Sequence, residues 1–266
     1  MSDTAAKRIL DFADALPGPY GYERSIKISP TGAARNRFLV TFPAVALDMG
    51  IDLHALLKQL QCPLQAPVTA LIEGRAILHL GIEQSDSATI CKLYAEDADR
   101  VRELWDSPSL PAEPIPLHRS LKWQLGEPSW VATDYDWLPC ETREQLMAHA
   151  QYCLPDAAPV LQQLVLLASA KCPVRNLQLL RVSEAGNSRL SLDFNVYDSA
   201  MTVSVLRDLS HRITSKDPYG GLLNSAAAKL ENIADLTLGH IALGVGRDGE
   251  RFVTIYYGVE ERGGFS

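Results

Sequence analysis

Stretches in which polar and apolar residues alternate recur along the chain, and they come in pairs joined by short turns. In the first pair, Glu23 and Lys27 share one face of a strand and Ile26 and Ile28 share the other, because strand side chains alternate with period 2. Such pairs predict β-hairpins. Five hairpins, and hence about ten strands, are predicted over 20–42, 75–97, 119–137, 176–198 and 239–261.

Helical periodicity occupies the segments before and between the hairpins. Apolar residues recur there at a spacing of three and four, which is typical of helices that bury one face. Pro155 should divide the longest segment into two helices, since proline cannot continue a helix interior. The predicted helical segments are 4–16, 46–60, 97–105, 142–170, 203–213 and 222–234.

The predicted fold class is α+β, a single domain over 1–266 in which about ten antiparallel strands close into a barrel inside a ring of helices. Closure removes the unpaired sheet edges, and the apolar strand faces pack under the helices. A barrel of ten strands is too wide for its own side chains to fill, so it should enclose a chamber. The polar strand faces would line this chamber with Glu23, Lys27, Arg37, His79, Glu83, Lys92, Tyr94, Lys122, Arg189, Asp193, Asn195, Tyr197, Thr254 and Tyr256.

Composition and charge narrow the function. A net charge of -7 argues against nucleic acid as a partner, since such proteins displace counterions with a basic surface. No apolar run has the length of a membrane span, and the first residues lack the apolar core of a signal peptide. The five cysteines form no CxxC motif, which favours reduced thiols in the cytoplasm. The six histidines form no HxxxH or HExxH motif, so we expect no metal site.

Cations share the inward phase of several predicted strands. Burying them together is costly unless an anion compensates, and a diphosphate would do so through charge-assisted hydrogen bonds. The alternative for each single residue is a salt bridge at the barrel rim. The candidate anion site consists of Lys27, Arg37, Lys92, Lys122 and Arg189.

The first hairpin also carries a family resemblance. Its segments ERSIKIS and RFLVTF, together with the late strand TIYYGV, resemble the cyanobactin prenyltransferases, which belong to the ABBA or PT-barrel prenyltransferases. The resemblance covers nearly the full chain, and it implies transfer of a dimethylallyl or geranyl group from its diphosphate to a side chain of a ribosomal macrocyclic peptide. It also implies that Mg²⁺ accompanies the diphosphate.

The same resemblance implies roles for two residues of the first hairpin. Glu23 stands where the family has its catalytic glutamate, and it would orient and deprotonate the acceptor. Arg37 matches the arginine that binds the diphosphate, and strand phase extends that site to Lys27, Lys92, Lys122 and Arg189. Fixed cations would stabilise the charge that develops on the leaving group.

Further site residues follow from the chemistry of an allylic cation. Aromatic faces can stabilise such a cation and shield it from water, and the candidates are Tyr94, Tyr135, Tyr197 and Tyr256. Leu177 lies in the region where family members set the length of the donor. The acceptor pocket is predicted to contain His79, Glu83 and Asp193. The acids Glu83, Asp134 and Asp193 would suit a cationic acceptor such as a guanidinium group.

Other interpretations of these residues stay open. Glu23 could form a salt bridge with Lys27 or Arg37, and a tyrosine could serve only in packing. A second enzymatic function keeps the barrel but transfers the prenyl group to a small aromatic molecule, and a chamber closed at one end by a helix would favour it. A third function is a non-enzymatic barrel that carries an anionic or hydrophobic ligand, for which Glu23 would be dispensable.

Overall fold

Ten antiparallel strands form a closed barrel in the computed structural model, which describes residues 4–85, 88–214 and 217–263. Neighbouring strands follow the chain order, and β1 pairs with β10 to close the ring. The predicted architecture of five hairpins is therefore confirmed. The strands are β1 (Tyr20–Ser29), β2 (Gly32–Pro43), β3 (Ile77–Gln84), β4 (Thr89–Glu96), β5 (Ile115–Gln124), β6 (Trp130–Leu138), β7 (Gln178–Ser183), β8 (Leu190–Asn195), β9 (Leu238–Val245) and β10 (Arg251–Arg262).

Helices connect the hairpins. Pro155 ends α5 as predicted, and a capping box between Thr142 and Gln145 begins that helix. The segment predicted as one helix over 46–60 is instead a 3-10 turn followed by α2, because Gly50 adopts a left-handed conformation with φ of 94°. The helices are α1 (Ala5–Asp14), α2 (Leu53–Gln59), α3 (Val68–Ile72), α4 (Ala98–Trp105), α5 (Arg143–Cys153), α6 (Ala158–Ala168), α7 (Val205–Arg212) and α8 (Gly220–Lys229).

The hydrophobic core lies between the outer face of the barrel and the helices. The largest cluster packs Ile26, Leu192 and Phe194 of the strands against apolar residues of α5 to α8. A second cluster packs Leu78 and Leu80 against α1 and α2. Because the outward faces are used for this packing, the alternate residues of each strand are left to face the interior.

Two of the strand boundaries that differ from the prediction bear on the site. β5 begins at Ile115 rather than at Arg119, which places His118 inside the strand. β8 ends at Asn195, so Tyr197 lies in a 3-10 turn that follows the strand. Tyr197 nevertheless faces the interior, because its hydroxyl reaches Glu23 across the barrel.

The two ends of the barrel differ. Each hairpin reverses at the same end, which we call the turn end, and the helical connections leave from the other, which we call the connection end. A residue's distance from its hairpin turn therefore sets its depth in the chamber.

Within 4–85, 88–214 and 217–263, no helix has the length and apolar character that a membrane crossing requires.

Candidate active site

Two adjacent cavities occupy the interior of the barrel. The turn-end cavity has a volume of about 420 Å³, and the connection-end cavity has a volume of about 390 Å³. Four side chains line both cavities and so mark the boundary between them: Tyr94, Tyr135, Asp193 and Tyr256. A molecule that extends from one cavity into the other must pass this boundary.

The turn-end cavity gathers the predicted cations. All five line it, and Arg247 of the last hairpin turn joins them. Arg37 is only 7% exposed, and its Nη1 has no hydrogen-bond partner among the described residues; the same holds for Nη1 of Arg189. Buried guanidinium N–H groups without acceptors are costly, so these donors are poised for an anionic ligand. The cations that converge on this cavity are Lys27, Arg37, Lys92, Lys122, Arg189 and Arg247.

The lysines of this cavity show the cost of assembling like charges. Burial lowers the pKa of Lys92 to about 8, although Glu83 partly opposes the shift. Burial and the neighbouring Arg189 lower the pKa of Lys122 well below its ordinary value. Burial also lowers the pKa of Lys27. An anion bound here would raise the pKa of each lysine again, because an opposite charge nearby favours the charged form.

Two carboxylates neutralise part of this charge. Glu83 lies 3.0 Å from Lys92 Nζ and 3.4 Å from Arg37 Nε, so it belongs to the turn-end cavity and not to the acceptor pocket as predicted. Burial alone would raise the pKa of Glu83, but Arg37 and Lys92 outweigh it and lower the pKa. Glu184, which directly follows β7, accepts a hydrogen bond from Arg247 Nε at 2.6 Å.

These carboxylates do not form a resident Mg²⁺ site. Mg²⁺ is usually held by one or two free carboxylates together with substrate phosphates. Glu184 lies 3.6 Å from both Lys122 Nζ and Arg189 Nε, in addition to its hydrogen bond with Arg247. Glu83 forms salt bridges with Lys92 and Arg37. Both acids are thus engaged with protein cations.

Glu23 lies in the connection-end cavity, 6% exposed. Its Oε1 accepts a hydrogen bond of 2.6 Å from the Tyr197 hydroxyl, and its Oε2 lies 3.3 Å from His240 Nε2. The other ring nitrogen of His240 lies 2.6 Å from Asp193 Oδ1, and the ring stacks on Tyr256 at 3.6 Å between centroids. Glu23 is therefore held by Tyr197 and His240, and not by the salt bridge to Lys27 or Arg37 that the sequence left open.

Backbone irregularities make room for this carboxylate. The pairing of β1 with β10 shifts register around Glu23, and the pairing of β10 with β9 shifts register beside Gly239. Such bulges re-aim side chains next to functional sites. A Cβ atom at Gly239 would lie 2.1 Å from Glu23 Oε1 and 2.6 Å from the Tyr197 ring. Only glycine therefore leaves space for the Glu23–Tyr197 contact.

His240 is a functional candidate that the sequence analysis missed. Burial alone would lower its pKa, but the carboxylates of Asp193 and Glu23 outweigh burial and raise the pKa to about 10. His240 is thus an imidazolium between two carboxylates at neutral pH. Strand phase would have found it, because it pairs directly with the inward residue Tyr256 of β10.

The raised pKa of His240 predicts a pH-dependent contribution to stability. Because the folded-state pKa lies above the ordinary value of 6.5, the contribution is complete below pH 6.5 and is lost as pH rises towards 10. His240→Asn should lower the melting temperature most at or below neutral pH. The difference in melting temperature from the parent protein should shrink as the pH rises from 6.5 to about 10. Melting curves over this range test it, with the exposed His54→Asn as control. A difference that stays constant would show that only packing was lost.

Three more polar residues meet on the adjacent strands β3, β4 and β5. His79 Nε2 lies 3.1 Å from Glu96 Oε2, and His118 Nδ1 lies 3.6 Å from the same oxygen. His79 lies in the connection-end cavity, as the predicted acceptor pocket requires. Glu96 and His118 were not predicted as site residues, although both share the inward phase of their strands. Burial lowers the pKa of His118 to about 4, so its ring is neutral.

The predicted aromatic residues surround the boundary between the cavities. The rings of Tyr94 and Tyr135 lie 5.7 Å apart between centroids, and Tyr256 completes the boundary beside His240. Tyr197 lines only the connection-end cavity. Burial is the largest cause that raises the pKa of all four phenols, so they are neutral hydroxyls.

Two further predicted placements are wrong. Leu177 is 1% exposed and packs in the core between barrel and helices, because it precedes β7 and points outward. Asp134 lies on the outer face of β6, where its Oδ1 is 3.2 Å from Arg119 Nε. Its inward neighbours on the same strand are Thr133, which donates a hydrogen bond to Glu184, and Tyr135. Period-2 alternation excludes Asp134 from the chamber.

Known proteins share the fold but show little sequence similarity. No protein-family model matches the sequence, and no curated protein matches it. Among solved structures, AnaPT from Neosartorya fischeri aligns with a TM-score of 0.57 and 11% identity over 89% of this chain and 77% of that chain. The 6-dimethylallyltryptophan synthase from Micromonospora olivasterospora, in complex with DMASPP and Trp, aligns with a TM-score of 0.51 and 13% identity, covering 89% and 81%.

A third structure agrees with these two. NotF in complex with brevianamide F and DMSPP aligns with a TM-score of 0.53 and 12% identity over 89% of this chain and 79% of that chain. At such low identity the similarity establishes the fold alone, which is the closed barrel of the prenyltransferases.

Proposed function

We propose that this protein is a prenyltransferase that transfers a dimethylallyl group from its diphosphate to a side chain of a macrocyclic peptide. One observation carries the proposal: a cavity lined by six lysine and arginine side chains adjoins a second cavity that holds Glu23, and three tyrosines with Asp193 line both. The fold shared with a dimethylallyltryptophan synthase and with NotF prenyltransferase supports it.

The diphosphate would occupy the turn-end cavity. The unpartnered N–H groups of Arg37 and Arg189 would donate to its oxygens, and the lysines would add charge. When the bond between the allylic carbon and the bridging oxygen breaks, the electron pair leaves with the diphosphate. Cations fixed in a largely buried site stabilise this developing charge without reorganisation.

The allylic group would then lie at the boundary of the cavities. The neutral rings of Tyr94, Tyr135 and Tyr256 present π-faces there, which stabilise a carbocation and exclude water. The acceptor would approach from the connection end. As its nucleophilic atom forms the new bond to the allylic carbon, the proton it releases passes to the carboxylate of Glu23.

His240 and Tyr197 would position Glu23 for this step. Both contacts hold the carboxylate in one orientation inside the cavity. Asp193 in turn holds the His240 ring through its other nitrogen. These residues act on Glu23 and are positioning residues in this mechanism.

A peptide acceptor fits the shape of the connection end. The residues that line this cavity come from the strands and from Tyr197, and within the described ranges none comes from α1 to α8. A helix closing the chamber would favour a small acceptor. A cavity without a helix among its described lining residues favours entry of one side chain of a larger molecule.

A small aromatic acceptor is the second candidate. Two of the structurally similar proteins were solved with Trp and with brevianamide F, which favours an acceptor of that kind within the same mechanism. The two candidates share the donor site, Glu23 and the tyrosine boundary, and they differ only in what enters from the connection end.

The test is incubation with dimethylallyl diphosphate and two acceptor pools, read by mass spectrometry. One pool contains macrocyclic peptides with Tyr, Trp, Arg, Ser, Thr and free termini, and the other contains tryptophan and small cyclic dipeptides. We expect a gain of one prenyl unit in the first pool. Product in the second pool alone would reassign the acceptor, and geranyl diphosphate in a parallel reaction tests donor length. Diphosphate binding without product from either donor would indicate a carrier.

The same assay examines Mg²⁺. The expectation that Mg²⁺ accompanies the diphosphate stays a prediction, and we propose that any such ion arrives with the substrate, since Glu83 and Glu184 are bridged by protein cations. Omitting Mg²⁺ should therefore slow transfer only about a few-fold, because the lysines and arginines of the turn-end cavity already stabilise the charge on the leaving group.

We further propose a cytoplasmic location, in keeping with five free thiols.

A further inference from the structure

We propose that His79, Glu96 and His118 form a site for a divalent transition-metal ion, with Zn²⁺ as the best match. Their ligand atoms all lie within 4.8 Å of one another. Two imidazoles and one carboxylate are the ligand set of catalytic zinc sites, in which a fourth position stays open to water or substrate. This site is separate from the diphosphate cavity and independent of the proposed reaction.

The barrel holds the three ligands on neighbouring strands. Glu96 of β4 pairs directly with His118 of β5, and His79 of β3 lies diagonally across from Glu96. Side chains so placed on one face of a sheet lie within reach of one another. The distances of 3.1 Å and 3.6 Å from Glu96 Oε2 to the two imidazole nitrogens are those of ligands around one small ion.

Thr41 supports the orientation of His79. The Thr41 hydroxyl lies 2.8 Å from His79 Nδ1, on the side of the ring away from Glu96. Metal-bound histidines commonly donate their second ring N–H to such a partner, which directs the lone pair of the other nitrogen at the ion. In the tautomer in which Nδ1–H donates to Thr41, the Nε2 lone pair would face the carboxylate of Glu96, and a cation between them would satisfy both.

Charge in the connection-end cavity favours a cation. Its lining includes the carboxylates of Glu23, Glu96 and Asp193, whereas its only cationic side chain among the described residues is the imidazolium of His240, so negative charge is in excess. The side chains of His79, Glu96 and His118 are 12%, 21% and 18% exposed, so one side of the cluster faces the cavity. An ion bound there would keep an open coordination position towards the space that the acceptor occupies.

Cobalt binding tests the proposal. The untagged protein is stripped with a chelator, returned to metal-free buffer and titrated with Co²⁺, whose visible absorption reports four- or five-coordinate geometry. We expect one Co²⁺ per chain, displaced by Zn²⁺, with no thiolate charge-transfer band from the five cysteines. Glu96→Gln and His118→Ala should each weaken binding by at least about tenfold. His54→Ala, at an exposed position of α2, should leave Co²⁺ binding unchanged.

Several outcomes overturn the site. No stoichiometric Co²⁺ or Zn²⁺ binding would mean that the cluster is a hydrogen-bonded network only. Binding that survives both Glu96→Gln and His118→Ala, or that is lost in His54→Ala, would place the ion elsewhere. Circular dichroism checks that each variant is folded. If His118→Ala does not fold, the conservative Glu96→Gln still tests the site. Because prenyl transfer is not the readout, failure here leaves the proposed function untouched.

Discussion

Glu23→Gln should reduce prenyl transfer by on the order of 10²–10⁴-fold, the range that a positioned general base contributes. Glutamine matches the shape of Glu23 and can still accept the hydrogen bond from Tyr197, but it cannot take up the acceptor proton. Affinity for the diphosphate should stay within about twofold, because the cations lie at the other end of the chamber. Single-turnover rates and titration with a non-hydrolysable donor analogue measure the two quantities separately.

The matched control is Glu103→Gln, which makes the same change on an exposed residue of α4 and should leave the rate unchanged. Equal rates for Glu23→Gln and the parent protein would remove Glu23 from the mechanism. They would also favour the carrier function, in which this residue is dispensable. A parallel loss of diphosphate affinity would instead point to collapse of the chamber, and melting curves of the variant would reveal it.

Arg37→Ala should weaken diphosphate binding by on the order of a hundredfold or more, since truncating one partner of a buried charge pair costs about 2–5 kcal/mol. Arg37 is almost fully buried, and two of its guanidinium nitrogens have no hydrogen-bond partner among the described residues. Glu83 would keep Lys92 as its partner, which limits damage to the empty protein. Calorimetric titration with the diphosphate analogue measures the loss.

Two further variants sharpen this result. Arg37→Lys keeps the charge but not the planar fork, so an intermediate loss would show that paired donation to phosphate oxygens matters. Arg119→Ala removes an arginine from the outer face of β5, where it pairs with Asp134, and should have no effect. Binding that Arg37→Ala leaves intact would contradict the assignment of the turn-end cavity to the diphosphate.

The hairpin pattern predicted most of the fold and half of the site. Period-2 alternation identifies inward residues without any knowledge of tertiary contacts, so all five predicted cations line one cavity. They also lie close to hairpin turns, which in a closed antiparallel barrel share one end. One omission came from a misjudged strand end, because starting β5 at Arg119 left His118 outside the strand.

Alternation along a strand is thus a local property. For this reason the sequence by itself determined which faces of the strands line the chamber, and it determined that cationic side chains lie together there. Only closure of the barrel decided the partners of Glu23. Tyr197 and His240 are 174 and 217 residues away in the chain, and they reach Glu23 because β1 closes onto β10 and bulges beside Gly239 make room. Strand order and bulge position arise from packing of the whole sheet, so no local pattern encodes this contact.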